Sequence, residues 1–149
     1  MATRVSVIDD DADLIDLFQD MLAAEGGFEV LTYHDALPGI EDLIASRPDL
    51  IIVDLALAPE REQLSGGQVI HSARTSEALR DVPIVVVSTD TDAMRAAWPA
   101  FEARGDIHRL AKPFSLADFQ RVLATALGRS QHGPVLARTG GRGSTERRD

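Results

Sequence analysis

Short apolar runs and amphipathic stretches follow one another along most of this chain. Runs rich in Val, Ile and Leu, bounded by polar residues or glycine, predict buried strands. Between them, apolar residues recur at spacings of three and four, which predicts helices with one face against a core. The predicted strands are residues 4–8, 28–32, 50–53, 84–87 and 107–111, and the predicted helices are residues 12–25, 35–47, 67–79, 90–104 and 115–127.

Local signals predict how several of these helices begin, end and face the core. Gly26-Gly27 should end the first helix, Asp35 should cap the second with Pro38 in its first turn, and Ser115 to Asp118 forms a capping-box pattern. Pro99 should kink the fourth helix or split it after Trp98. The core stripes should be Leu14, Leu17, Phe18, Met21 and Leu22 in the first helix, Leu37, Ile40, Leu43 and Ile44 in the second, and Leu116, Phe119, Val122, Leu123 and Leu127 in the last.

Five strands that alternate with five helices predict an α/β fold, a doubly wound parallel sheet covered by helices on both faces. The crossover connections should be right-handed. In such a sheet the ligand binds beyond the carboxyl ends of the strands, where the strand order reverses. The pattern therefore predicts both the fold and the edge at which chemistry should occur.

Composition narrows the class of protein. The 149 residues fit one domain, and a hydrophobic content of 44% suffices for a core. The chain has no cysteine, which excludes disulfides and thiolate metal sites. No apolar stretch in the sequence is long enough to span a bilayer, so we predict a cytoplasmic protein without membrane contact. The formal net charge of -9 argues against direct nucleic-acid binding by the folded part.

The last 21 residues differ in character from the rest. Residues 129–149 contain five arginines and are rich in Gly, Ser and Thr, with Val135-Leu136 as their one apolar pair. Such a segment buries too little apolar surface to offset the entropy of ordering. We therefore predict a domain at residues 1–128, followed by a flexible tail or the start of a linker.

Polar residues that could bind a ligand or take part in a reaction follow four of the five predicted strands. Asp9-Asp10 follows the first strand, Asp54 the third, Ser88 the fourth, and Lys112, the only lysine of the chain, the fifth. Because the carboxyl ends of parallel strands share one edge of the sheet, these groups should converge there.

Converging carboxylates predict a metal-assisted phosphoryl site. The three acids repel one another, and a hard divalent cation such as Mg²⁺ or Mn²⁺ would remove that cost through oxygen ligands. The Asp9-Asp10 pair is the better cradle for the metal, and Asp54, alone on a central strand, is the better nucleophile for phosphorus. Lys112 and the Ser88 hydroxyl would each bind an oxygen of the transferring group.

With these residues in place, the chain resembles the receiver domains of two-component response regulators, which have a flavodoxin-like (βα)5 fold. The resemblance covers about residues 3–128. It rests on Val7-Ile8-Asp9-Asp10-Asp11, Ile51-Ile52-Val53-Asp54-Leu55, Pro83-Ile84-Val85-Val86-Val87-Ser88 and Lys112-Pro113-Phe114.

The resemblance implies a signalling protein rather than an enzyme acting on other substrates. Asp54 would accept a phosphoryl group from a histidine kinase or phosphotransfer protein, and an unknown downstream protein would respond or receive the group. Mg²⁺ would be held by Asp9 or Asp10, by Asp54 and by the backbone carbonyl of Ala56. Ser88 and Lys112 would bind phosphoryl oxygens, and the Lys112-Pro113 peptide bond would be cis.

The sequence departs from the family pattern in three places. Residues 58–65 make the loop after Asp54 longer than usual, and Thr89 stands where a small residue is common. Arg109 occupies the position of the usual aromatic switch residue, so Ser88 and Arg109 are the candidate switch pair. The arginine at this position predicts that the signal is not relayed by an aromatic ring.

Two other functions remain compatible with the sequence. A haloacid-dehalogenase-like phosphatase would use Asp9 as its nucleophile, although that family places an acidic pair after the lysine and only Asp118 follows here. A receiver-like module that binds partners without phosphorylation is the second alternative, and Thr89 and Arg109 favour it.

Overall fold

The computed structural model describes residues 2–34, 38–55, 66–89 and 91–128. Strands and helices alternate throughout, as the sequence predicts. The strands are β1 (Thr3–Ile8), β2 (Phe28–Tyr33), β3 (Leu50–Asp54), β4 (Ile84–Thr89) and β5 (Ile107–Lys112), and the helices are α1 (Ala12–Glu25), α2 (Ile40–Ser46), α3 (Gly66–Thr75), α4 (Asp92–Glu102) and α5 (Leu116–Ala126).

The strands form one parallel sheet in the order β2-β1-β3-β4-β5. β1 lies between β2 and β3, with Val5 opposite both Val30 and Leu50. The chain thus winds outward from β1 in both directions, which confirms the predicted doubly wound fold. β3 is buried along its whole length, as expected for a strand covered on both faces.

The two faces of the sheet carry separate hydrophobic cores. Alternate residues of each strand point to opposite faces, so Val85 and Val87 enter one core and Ile84 and Val86 the other. The first core packs against α1 and α5 through Phe18, Leu22, Phe119 and Leu123. The second packs against α2, α3 and α4 through Leu43, Val69, Ile70, Ala73, Trp98 and Phe101.

The assignment of two residues to the predicted core stripes is wrong. Leu17 is 43% exposed and Leu116 is 51% exposed, whereas Ile15, which the stripe omits, is buried. Successive helical residues turn by about 100°. Ile15, Phe18 and Leu22 therefore define the centre of the buried face of α1, and Leu17 lies to one side of it.

The ends of α2 and α3 also differ from the predictions. α2 begins at Ile40 with Gly39 as its N-cap, so Pro38 precedes the helix instead of lying in its first turn. The Gly39 N–H donates to Asp42 Oδ2 at 3.1 Å. The predicted cap Asp35 and the predicted core residue Leu37 lie outside the described residues. α3 ends at Thr75 rather than near Leu79, and the chain continues in turns.

Other local predictions have mixed outcomes. The Ser115–Asp118 capping box is present at the start of α5, with both hydrogen bonds at 3.0 Å. The prediction for Pro99 is a kink or a split after Trp98, and the split is wrong, because the helix continues through Pro99 to Glu102. Proline retains helical φ, and what it removes is one hydrogen bond of the helix.

The Lys112-Pro113 peptide bond is cis, as predicted. No helix within the described ranges has the length and apolarity needed to cross a bilayer.

Candidate functional site

The predicted polar residues meet at the carboxyl edge of the sheet. Asp9 follows β1 directly, Asp54 is the last residue of β3, and Lys112 is the last residue of β5. Ser88 lies in β4 opposite Ala111, and Thr89 lies opposite Lys112. The parallel register of these strands thus brings residues far apart in sequence to one place.

Three carboxylates form the centre of the site. Asp9, Asp10 and Asp54 each offer an oxygen within 4.8 Å of the other two. Asp9 is 1% exposed and Asp54 is 4% exposed, while Asp10 is partly exposed. Carboxylates held this close in a buried position repel each other unless a proton or a cation is shared among them.

Asp9 is the most deeply buried of the three acids. Its Oδ1 accepts the N–H of Asp11 at 2.9 Å, while its buried Oδ2 has no hydrogen-bond partner in the part of the chain that the structure describes. Burial, followed by the charges of Asp54 and Asp10, raises the pKa of Asp9 to about 7, although the Asp11 N–H and Lys112 act in the opposite direction. Asp11 itself caps α1 by accepting the N–H groups of Asp13 and Leu14.

Lys112 supplies the cation opposite this cluster. Its Nζ lies 3.2 Å from Oδ2 of Asp54, close enough for a charge-assisted hydrogen bond. The lysine side chain is 30% exposed and that of Asp54 is 5% exposed. The ammonium therefore reaches Asp54 from the solvent side of the site.

The donor set fits a hard divalent cation. All three acids offer oxygen, the ligand type that Mg²⁺ and Mn²⁺ prefer, and a cation beside the unpartnered Asp9 Oδ2 would relieve its burial. The predicted fourth ligand, the backbone carbonyl of Ala56, lies outside the described residues.

Ser88 and Arg109, the predicted switch pair, are in contact. Ser88 is 3% exposed, and its Oγ accepts a hydrogen bond from Nε of Arg109 at 3.4 Å. The guanidinium carbon of Arg109 lies 6.0 Å from the ring centroid of Trp98 on α4. Arg109 therefore lies between the site and α4, whereas Thr89 is exposed.

Gly66 is a site-supporting residue that the sequence analysis did not single out. A Cβ at this position would lie 2.5 Å from the carbonyl oxygen of Asp54 and 2.7 Å from Cα of Leu55. The first residue of α3 thus packs directly on the backbone that carries Asp54. Its position just before the predicted helix 67–79 was the available signal, but sequence alone does not reveal which backbone approaches a glycine.

One cavity of the described structure lies away from these groups. It measures about 670 Å³ and opens at the amino ends of the strands, beside Thr3, Asp49, Pro83 and Asp106.

The fold, the acids at the strand ends and the lysine together define a class of protein, and comparison with known sequences identifies that class. The family model described as the response regulator receiver domain matches residues 5–124. The chain belongs to this family. Receiver domains are signalling modules of two-component systems, and they interact with histidine kinases and downstream effectors.

Individual relatives come from regulators and from a kinase. The chain is 34% identical to the transcriptional regulatory protein PrrA of Mycobacterium leprae over 115 residues, 77% of this chain and 46% of PrrA. It is 28% identical to the DNA-binding response regulator MtrA of Mycobacterium tuberculosis over 135 residues, 91% of this chain and 55% of MtrA. It is 25% identical to the sensor histidine kinase TmoS of Ectopseudomonas mendocina over 133 residues, 89% of this chain and 13% of TmoS.

Solved structures share the fold. The receiver domain of the sensor histidine kinase PA1611 from Pseudomonas aeruginosa, which has a magnesium ion coordinated in its active-site cleft, superposes with a TM-score of 0.68 at 24% identity, covering 86% of this chain and 99% of that one. The chemotaxis protein CheY4 of Vibrio cholerae gives a TM-score of 0.68 at 22% identity, covering 85% and 100%. At these identities the likeness establishes the fold alone, and the chain spans only part of its curated relatives.

Proposed function

We propose that Asp54 accepts a phosphoryl group from the phosphohistidine of a histidine kinase or phosphotransfer protein. The observation that carries this proposal is the contact between Lys112 Nζ and Asp54 Oδ2 beside two further carboxylates. A carboxylate at the end of a buried strand, with one cation in contact and a metal-type donor set beside it, has the surroundings of a phosphoryl acceptor.

The transfer forms one bond and breaks one bond. A carboxylate oxygen of Asp54 bonds to phosphorus while the phosphorus–nitrogen bond of the donor phosphohistidine breaks, and the electron pair of that bond stays on the imidazole nitrogen. Lys112 neutralises charge on the transferring oxygens from the solvent side, and the Ser88 hydroxyl donates to another of them. Neither residue changes covalently, so the protein's part is positioning and charge neutralisation.

Asp9, Asp10 and Asp54 would hold Mg²⁺ or Mn²⁺, together with the Ala56 carbonyl. The magnesium ion in the PA1611 receiver domain supports this assignment, as does the unpartnered Asp9 Oδ2. When bound, the cation neutralises the acidic cluster and the phosphoryl oxygens. The chain's own contribution is to fix these carboxylates on rigid strand ends.

Asp54 fits the nucleophile role better than Asp9. Asp9 is 1% exposed and its Oδ1 is already bonded to the Asp11 N–H, whereas Asp54 faces the ammonium of Lys112. A haloacid-dehalogenase-like mechanism needs Asp9 as its nucleophile, and these contacts do not favour it.

The output would be phosphorylation-dependent binding of a downstream protein, or onward transfer of the phosphoryl group. The chain would phosphorylate and dephosphorylate itself but act on no other substrate. We assign the receiver to residues 1–128; the predicted tail at residues 129–149 lies outside the described residues. A cytoplasmic location stays a prediction.

Intact mass tests this proposal directly. The native chain, incubated with acetyl phosphate and Mg²⁺, should gain the mass of one phosphoryl group, and Asp54→Asn should gain none. Steady hydrolysis of small phosphate esters that survives Asp54→Asn but not Asp9→Asn would instead indicate the phosphatase. A folded native chain that stays unmodified with the metal present would indicate a binding module.

A further inference from the structure

Arg109 touches both the candidate site and α4. Its Nε–H donates to Ser88 Oγ at 3.4 Å, and its guanidinium carbon lies 6.0 Å from the ring centroid of Trp98. Ser88 is buried near the carboxyl end of β4, and Trp98 is partly buried on α4. A single charged side chain thus contacts the hydroxyl at the site and the indole on the neighbouring helix.

The direction of the Ser88–Arg109 hydrogen bond determines what Ser88 can do next. A guanidinium is a donor only, so the Ser88 oxygen must be the acceptor in this contact. The hydroxyl proton of Ser88 is therefore not used by Arg109 and remains available for a phosphoryl oxygen. Hydrogen bonds in such a chain polarise one another, so Ser88 and Arg109 should respond together to a new anion.

Trp98 fixes the other end of this connection. An indole is the aromatic ring that best attracts a cation, and the planar guanidinium can lie over its face. The Trp98 ring also packs against Phe101, with centroids 5.9 Å apart, and both side chains pack on the second hydrophobic core. A shift of the guanidinium would therefore change the surroundings of an indole that belongs to α4.

We propose that Arg109 is a positioning residue that couples the Ser88 hydroxyl to Trp98 of α4. The proposal rests on the proposed function of Asp54 as phosphoryl acceptor. When a phosphoryl group occupies the site, the Ser88 hydroxyl turns to donate to it. Arg109, bonded to the same oxygen, follows, and the guanidinium changes its position over the indole. α4 thereby senses the site through a cation–indole contact rather than through a mobile aromatic ring.

Trp98 is the only tryptophan of the chain, so the tryptophan fluorescence comes from the indole that Arg109 contacts. The probe is beryllofluoride with Mg²⁺, a non-covalent stand-in for the phosphoryl group, and its binding is measured separately by calorimetry. The native protein should bind the probe and change its tryptophan emission at the same probe concentration. Arg109→Gln and Ser88→Ala should still bind at higher concentration, about three- to tenfold more weakly, but lose most of the emission change at saturation.

Arg121→Gln is the matched control. Arg121 lines the same small cavity as Trp98 and Arg109, but its guanidinium pairs with Asp118 on α5. This variant removes a neighbouring cation without touching the Ser88 connection, and it should keep the native emission change. The double variant Ser88→Ala/Arg109→Gln should bind no more weakly than Ser88→Ala alone, because both changes break the same connection.

The outcomes separate this inference from the function on which it rests. A native protein that neither binds beryllofluoride nor gains a phosphoryl group contradicts the proposed function. A native protein that binds the probe without a change in Trp98 emission overturns the coupling. A full emission change in Arg109→Gln, or additive losses of affinity in the double variant, overturns it equally.

Discussion

Nζ of Lys112 lies 3.2 Å from Oδ2 of Asp54, although 58 residues separate them in sequence. The two residues end β5 and β3, on either side of β4, so the parallel register alone brings them to one edge. Asp9 and Asp10 reach the same edge from β1. The site is therefore a property of strand order, and each of its side chains makes a separate, testable contribution.

Removing the ammonium should slow phosphoryl acceptance. Lys112→Met deletes one charge-assisted hydrogen bond to the transferring group, which should lower the rate about tenfold or more. The rate is measured by intact mass during incubation with acetyl phosphate and Mg²⁺. Lys112→Arg keeps the charge but replaces a point charge with a planar fork, so its rate should be intermediate. Lys112→Met at the native rate would contradict the assigned role.

Stability without metal should fall as the pH rises, because of Asp9. The pKa of Asp9 is raised to about 7 in the folded state, so the folded protein binds more protons than the unfolded chain between about pH 4 and pH 7. The contribution of Asp9 is therefore most favourable below about pH 4 and is lost as the pH rises through 7, at a slope of at most about 1.4 kcal/mol per pH unit.

Urea unfolding of the native protein and Asp9→Asn, each measured in metal-free buffer from pH 5 to pH 8, checks this prediction. The variant should be the more stable protein at pH 8, and the difference should shrink toward pH 5. The pKa of Asp118 is lowered by hydrogen bonds from Ser115, so its contribution to stability varies with pH in the opposite direction. Asp118 is present in both proteins, and its contribution therefore cancels in the comparison. A difference that does not vary with pH would contradict the prediction.

Gly66 should tolerate no side chain. A Cβ 2.5 Å from the Asp54 carbonyl oxygen would force the backbone beneath Asp54 to move, so Gly66→Ala should cost about 2 kcal/mol or more and slow phosphoryl acceptance. Chemical denaturation and the mass assay measure the two effects. Gly39→Ala is the control, because the nearest atom to its added Cβ is Asp42 Oδ2 at 3.8 Å, and it should cost under about 1 kcal/mol. Equal losses in both variants would show that the close approach is unimportant.

Replacing Pro99 should stabilise the protein. Pro99 lies inside the continuous helix α4 and is exposed, and an alanine there would restore a backbone N–H facing the Arg95 carbonyl. Pro99→Ala should raise the free energy of unfolding by about 1 kcal/mol or more, measured by urea denaturation. Ala100→Gly, at the next exposed position, should lower it by a similar amount. A loss of stability in Pro99→Ala would contradict this account of α4.

The sequence predicts the fold and the central residues well, for a physical reason. The spacing of apolar residues reflects which side chains are buried, so it locates the alternating strands and helices. The rule that ligands bind at the carboxyl ends of parallel strands then places Asp54, Ser88 and Lys112 together. Apolar stripes are less exact, because a turn of about 100° per residue decides between Ile15 and Leu17, and both are apolar.

Other features depend on tertiary contacts that no local pattern encodes. Gly66 supports the site only because its Cα faces the Asp54 backbone, and Arg109 connects Ser88 with Trp98 only because β4, β5 and α4 are neighbours. At Pro99 a local rule predicts a kink or a split, and the split does not occur: α4 is continuous, with Trp98 and Phe101 packed on the core.

The most direct test of the central claim locates the modified residue. The protein is phosphorylated with acetyl phosphate and Mg²⁺, reduced with borohydride to convert an acyl phosphate into the alcohol, digested, and mapped by tandem mass spectrometry. The account predicts reduction at residue 54 alone, and none in a sample that was not phosphorylated. Reduction at Asp9 or Asp10 instead, or no reduced aspartate in a folded, metal-loaded sample, would contradict it.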